Sequence, residues 1–173
     1  MAEKYNMWSF VLGILCLLFS VHALYAALNQ SWSMAPPLFS LWIGSVTAFV
    51  SGIMGVQVKG VKFAKTRSWV TTTISFSLSA ILFMGLAVEL FARDTIATTH
   101  SPNGDYSIKL YTENGGAASS INVIGIVDGP LWFRKNIYDD RNMHKADVEW
   151  LNDHTISINN HVLDLERGET FSE

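Results

Sequence analysis

The side chains that could do chemistry are concentrated near the end of the chain. His154 and His161 flank a stretch with hairpin character, and two imidazoles held close together would be the beginning of a metal site. A third ligand would have to come from the carboxylates around them: Asp139, Asp140, Asp147, Glu149, Asp153 and Asp164. Asp139 and Asp140 could hold Ca²⁺ together with loop carbonyls, but adjacent residues of a strand point to opposite faces, which favours a solvated edge. Ser119 and Ser120 have no base beside them in the sequence, so a nucleophile is not supported. The chain has no HExxH, paired CxxC, GxSxG, phosphate-binding glycine loop or EF-hand spacing. No catalytic constellation and no cofactor is therefore expected. An envelope hydrolase or metal-dependent enzyme built on His154 and His161 remains the alternative reading.

A different kind of site lies at residues 130–135. Leu131, Trp132 and Phe133 form an apolar wedge directly before Arg134 and Lys135. A large apolar surface next to positive charge can enter an anionic bilayer surface or anchor a protein interface. The same aromatic side chains could instead fill the core of their own domain.

What positions these residues follows from composition. Of the 173 residues 49% are hydrophobic and 16% charged, against roughly a quarter charged in a soluble domain. The charges are also unevenly placed: five basic against two acidic side chains in residues 1–91, seven against thirteen in residues 92–173. A collagen-like, disulfide-framework or basic nucleic-acid-binding protein is excluded, and no nucleic-acid partner is expected.

Three long apolar runs, 8–28, 38–58 and 69–91, fill the first part. At ~1.5 Å per residue each can cross a hydrocarbon layer of ~30 Å. Only Ser, Thr and Gly interrupt them, without the polar stripe that a helix of a soluble bundle needs. Between the second and third runs stand Lys59, Lys62, Lys65 and Arg67, whereas residues 29–37 carry no charge. Basic loops stay in the cytoplasm, so the N-terminus is expected inside and everything after Phe91 outside. A cleaved signal peptide ending near Val21-His22-Ala23 is the competing reading of the first run. Glu3 and the length of the apolar stretch oppose it. Cys16, the sole cysteine, lies within that run, so an outer domain would fold without disulfides, as suits a Gram-positive bacterial envelope.

Small residues recur every four positions in the second run (Ser40, Gly44, Ala48, Gly52) and in the third (Thr71, Ser75, Ser79). Such stripes let helix backbones approach closely, within the chain or against a partner's helix. His22 and Glu89 are ionisable side chains within the apolar runs, and both fall toward the outer ends of parallel spans. Interfacial anchoring is the simpler role for them. A proton- or ion-linked role, as in a small subunit of a transport complex, is the alternative.

After residues 92–100, read as a threonine-rich linker, the periodicity changes to two. Strands are expected at 105–112, 118–127, 133–138, 146–151, 154–158 and 161–166, with turns at Asn114-Gly115-Gly116, Asn152-Asp153 and Asn159-Asn160. Short connections make the neighbours antiparallel. The expected fold is thus three transmembrane helices (1–91) followed by a small antiparallel β domain (101–173), a meander, sandwich or half-barrel. Its expected core is Ile108, Leu110, Ile124, Ile126, Val148, Trp150, Ile156, Ile158, Leu163 and Leu165.

The order Ser101-Pro102-Asn103-Gly104-Asp105-Tyr106, Asn114-Gly115-Gly116-Ala117, Lys135-Asn136-Ile137-Tyr138, Ala146-Asp147-Val148-Glu149-Trp150-Leu151 and then residues 158–165 resembles a family of uncharacterised proteins from Bacillus-type bacteria. That family joins N-terminal membrane segments to a C-terminal domain of unknown function. The chain departs from its pattern at Asn103 and Asn160, both compatible with turns, and in the more apolar stretch 128–133. The resemblance implies a bacterial envelope setting and brings no activity. The expected function is a non-enzymatic membrane protein whose outer β domain binds a partner as an accessory, sensor or immunity-type module. The expected partners are the lipid bilayer and either an envelope or membrane protein or a second copy.

Overall fold

A computed structural model describes residues 2–56, 63–114 and 121–173, with side chains from Asn6 onward. Lys59, Lys62, Ser119, Ser120 and the Gly115-Gly116 part of the first expected turn lie outside the described residues. The chain divides into two compact units, Met1–His22 with Ala35–Ala87 and Ala23–Met34 with Val88–Glu173.

The first unit is helical. Helices α1 (Ala2–Leu28), α2 (Leu38–Gly55) and α3 (Ala64–Phe91) contain stretches long and apolar enough to cross a membrane, Asn6–Leu28, Leu38–Gly55 and Ala64–Phe91. These helices make the chain a multi-pass membrane protein. Helix α3 begins before the expected 69, because Lys65 and Arg67 are good helix formers and extend the helix beyond its apolar run.

The buried face of α2 is Leu41, Ser45, Ala48, Gly52 and Gly55. Ala48 and Gly52 of the expected stripe lie on it, Gly44 is half-buried and Ser40 is exposed. A strict four-residue repeat drifts by about 40° per step on a helix of 3.6 residues per turn. The stripe therefore leaves the contact at one end, and alternating steps of three and four keep to it. Helix α3 behaves likewise: Ser68, Thr71, Ser75, Leu78 and Leu82 are buried, and Leu78 takes the place expected for Ser79.

The helices approach closely at these positions. A Cβ on Gly52 would fall 2.8 Å from Thr72 Oγ1, and one on Gly13 would fall 3.0 Å from Ser75 Oγ. A methyl group at Gly52 would force Thr72 to shift, and one at Gly13 would crowd the Ser75 hydroxyl. Near the end of the unit Asn6 is fully enclosed: its Nδ2 donates to Ala64 O at 3.0 Å and to Ser68 Oγ, and its Oδ1 accepts from Arg67 Nε at 3.0 Å. A buried amide satisfied on both ends fixes one register between two helices.

The second unit is a two-sheet β structure. Strands β1 (Arg93–His100), β2 (Ser107–Asn114), β3 (Ile121–Asp128) and β4 (Arg134–Arg141) form an antiparallel meander. The two-residue β8 (Phe171–Ser172) adds to it, parallel to β4, giving the order β1-β2-β3-β4-β8. Strands β5 (Val148–Trp150), β6 (Thr155–Ile158) and β7 (His161–Asp164) make a second antiparallel sheet.

Residues 93–100 are thus the first strand and not a linker. Threonine is β-branched and suits an edge strand whose side chains face water, but the apolar alternation that marks a half-buried strand is missing there. Asn159 and Asn160 both take positive φ, +47° and +68°, in the two-residue turn between β6 and β7, as the sequence leads one to expect.

The core between the sheets is Ile108, Leu110, Val123, Val127, Ile137 and Tyr138 from the first and Ile156, Ile158 and Leu163 from the second. Val148, Trp150 and Leu165 are half-buried at its margin. The expectation for β3 requires correction. Leu110 and Ile108 pair with Gly125 and Val127, so Val123 and Val127 face the core, while Ile124 and Ile126 face the other way. There they line a cavity of about 200 Å³ with Ala23, Ala26 and Ala27 of the last turns of α1. A strand covered on both faces reads as a continuous apolar run, and period two cannot then tell which face is which. In β4 a bulge opposite Gly125 and Ile126 lets both Ile137 and Tyr138 be buried.

Candidate functional site

The β3–β4 hairpin places the wedge. Its loop closes on itself through Gly129 N donating to Phe133 O at 2.8 Å and Phe133 N to Pro130 O at 3.1 Å. The loop is also tied to the segment that follows α1. Ser33 N donates to Arg134 O at 2.8 Å and Arg134 N to Ser33 O at 3.2 Å, a single antiparallel bridge. Trp132 Nε1 donates to Met34 O at 3.1 Å. A Cβ on Gly129 would fall 2.6 Å from Cζ3 of Trp32, so glycine is what permits that ring to lie against the loop.

The wedge residues have separate fates. Phe133 is half-buried and meets Trp132 edge to face, with ring centroids 6.5 Å apart. Leu131, at φ +61°, remains 83% exposed, and Trp132 is exposed as well although its N–H is satisfied. Neither of these two fills the domain core. Arg134 Nη1 stands 3.8 Å from Glu89 Oε1, while Lys135 Nζ donates to Gly168 O at 2.8 Å. Partial burial of Lys135 pushes its pKa down. The basic pair is thereby engaged within the unit. Glu89 thus stands opposite Arg134, a pairing 45 positions apart that no local pattern signals. His22 is half-buried on α1 and belongs to the other unit.

The structure does not bring His154 and His161 together. Ile158 pairs with His161 next to the turn, whereas His154 precedes Thr155 at the far end of the ladder, its carbonyl accepting from Leu165 N at 2.9 Å. Four residues of strand, roughly 13 Å, separate their positions. His154 Nε2 instead lies 3.9 Å from Glu166 Oε2. His161 stacks on Phe171 with ring centroids 3.8 Å apart, and Phe171 stacks in turn on Tyr138. Among the described residues no group of three His, Cys, Asp or Glu side chains is placed to hold a metal.

Asp139 and Asp140 are not the solvated edge expected for them, because β4 is an inner strand between β3 and β8. Asp140 is buried and its Oδ2 accepts from Tyr138 OH at 2.6 Å. Burial, reinforced by that carboxylate, pushes the Tyr138 hydroxyl pKa well up. Asp139 is raised too, first by burial and then by Glu113 and Asp140, against a lowering from Arg141. Its Oδ1 is enclosed without a hydrogen-bond partner.

Residues 65–172 match the model of a family of unknown function, DUF5412. The chain belongs to that family. No curated protein and no solved structure matches it. The DUF5412 match begins at the start of α3 and runs through β8, so it covers one apolar helix and the described strands of both sheets, while α1, α2 and the Ala23–Met34 part of the second unit precede it. The match agrees with the expectation of an uncharacterised family with a C-terminal domain of unknown function.

Sequence reasoning missed the strongest local feature of the site, the fastening of Trp132 to Met34. The two residues are 98 positions apart, and the donor and acceptor are an indole N–H and a main-chain carbonyl, neither of which leaves a pattern in the sequence.

Proposed function

We propose that this DUF5412 protein holds its β unit on the outer face of a bacterial cell membrane, in an envelope of Bacillus type. There the unit serves as a non-enzymatic partner-binding module with an accessory, sensing or immunity role. The sidedness rests on charge: Lys59, Lys62, Lys65 and Arg67 gather between the end of α2 and the first turn of α3, while residues 29–37 carry none. Residues after Phe91 then lie beyond the membrane.

The observation that carries the binding role is the open cleft beside β7. Asn160, His161, Val162, Glu169 and Phe171 line a depression of about 530 Å³ along that edge strand, which among the described residues pairs only with β6. Val162 projects from it, exposed. At the far end of β7 Asp164 is already engaged, its N donating to Glu169 Oε2 and its O accepting from Glu169 N, so an extended segment would add alongside Val162, next to the aromatic stack.

Photo-crosslinking through Val162 in intact cells checks this. A discrete adduct, to an envelope protein or to a second copy, is expected. Uncrosslinked protein alone, together with unchanged cell behaviour after removal of residues 100–173, would overturn the reading.

A further inference from the structure

We propose that the tip of the β3–β4 hairpin, Leu131 and Trp132, is seated in the lipid headgroup layer at the end of the membrane where α1 finishes. The proposal rests on the helices crossing a membrane. It does not depend on which side of that membrane the β unit occupies.

The tether gives the position. The hairpin is bonded to Ser33 and Met34, and its Gly129 lies against Trp32. These residues follow directly on Leu28, the end of one apolar stretch, and the next stretch begins at Leu38. Ser31 N still donates to Ala26 O at 3.0 Å, so the chain leaves α1 only after Ser31, and residues 32–34 stay within three extended residues, at most ~11 Å, of the helix end. Whatever is bonded to residues 32–34 stays at the membrane surface.

The chemistry of the tip fits that place and no aqueous one. Leu131 sits at φ +61°, a backbone that glycine or asparagine adopts readily and that leucine adopts only against steric resistance from its Cβ. It is also 83% exposed. A hairpin tip in water would favour a small polar residue on both counts, so a leucine there is explained by an apolar medium outside the protein. Trp132 has its one polar group satisfied by Met34 O, meets Phe133 with one part of its ring and leaves 43% of the residue exposed, the amphipathic disposition that places tryptophan at the headgroup level. Leu28, Trp32 and Met34, in the tethering segment itself, are exposed in the same way, so the tip continues an apolar rim that the end of α1 begins. That continuity with a membrane-crossing helix selects lipid over a protein partner.

The test uses the full chain in a Cys16→Ala background, reconstituted at one copy per nanodisc of phosphatidylcholine and phosphatidylglycerol. An environment-sensitive fluorophore is placed through Leu131→Cys and, as a water-exposed comparator on β5, through Glu149→Cys. At the Leu131 position the emission should be blue-shifted and quenched roughly twofold or more by lipids spin-labelled near the headgroup, with the comparator unaffected. Emission and quenching equal to the comparator's would overturn the proposal. So would a shift that appears only in discs holding two copies, which would assign the tip to a second chain, or only after adding a protein partner. Failure here leaves the cleft beside β7 and the sidedness of the β unit untouched, because neither enters the readout.

Discussion

The two units bury different mixtures of side chain. In the helical unit the small residues Ser45, Ala48, Ser68 and Ser75 are enclosed together with Leu41, Leu78 and Leu82, while Trp8, Leu18, Phe39, Phe76 and Ile81 face outward. In the β unit Ile108, Leu110, Ile137, Tyr138 and Ile156 are enclosed, and Asp147, Glu149 and Asp153 face outward. The contrast teaches what medium each was built for. Removing isoleucine from water drives the sheets together, at roughly 25 cal/mol per Å² of apolar surface. Helices surrounded by hydrocarbon gain nothing from hiding leucine, so they associate through close backbone approach at small residues and through hydrogen bonds such as those of Asn6.

Substitutions that change side-chain volume sharpen that contrast, since the two units should respond in opposite directions. The largest effect is expected in the β core. Leu110→Ala should lower the stability of that unit by about 2–5 kcal/mol, read from thermal unfolding of the full chain in detergent. A loss below about 1 kcal/mol would mean that the sheets are not held by their core.

Next comes an enlargement in the helical unit. Gly52→Leu places atoms where Thr72 Oγ1 and the Thr72 main-chain nitrogen already stand, 2.8 and 3.4 Å from the new Cβ. It should cost about 1–3 kcal/mol in unfolding by a denaturing detergent. Leucine is the more lipophilic residue, so a gain would show that lipophilicity and not close packing holds the helices.

The smallest effect depends on pH. Burial raises the carboxyl of Asp139, so the folded state holds its proton more tightly than the unfolded chain. Stability is therefore lost as pH rises from the ordinary aspartate range through the raised value. Asp139→Asn should raise the melting temperature slightly at neutral pH, with the difference vanishing below the ordinary aspartate range. An equal gain at both pH values would assign the effect to something other than ionisation.

How legible each region was also follows from its medium. The helices announce themselves, because runs of this length and hydropathy have few other uses. Their contact faces were half legible: Ala48 and Gly52 stand where a small-residue stripe puts them, but Ser40 does not, since a repeat of four is not the helical repeat. Strands β2, β6 and β7 show their alternation, and the Asn159-Asn160 turn shows its chemistry. Strand β1 was hidden by threonines that look like a linker, and β8 by being two residues long. The faces of β3 could not be assigned because both are covered. The wedge at 131–135 was visible as a composition, yet its division into an anchored Phe133, an outward Leu131 and a Lys135 held by Gly168 depends on partners far away in the chain. His154 and His161 looked like a pair only because the turn between them was counted and the strand length was not.

Sidedness is the claim on which the proposed role stands, and thiol accessibility in intact cells tests it most directly. In a Cys16→Ala background, Arg167→Cys should react with a membrane-impermeant maleimide added outside, and Lys65→Cys should react only after the membrane is opened. Labelling of the Lys65 position in intact cells with protection of the Arg167 position would place the β unit in the cytoplasm and contradict the account.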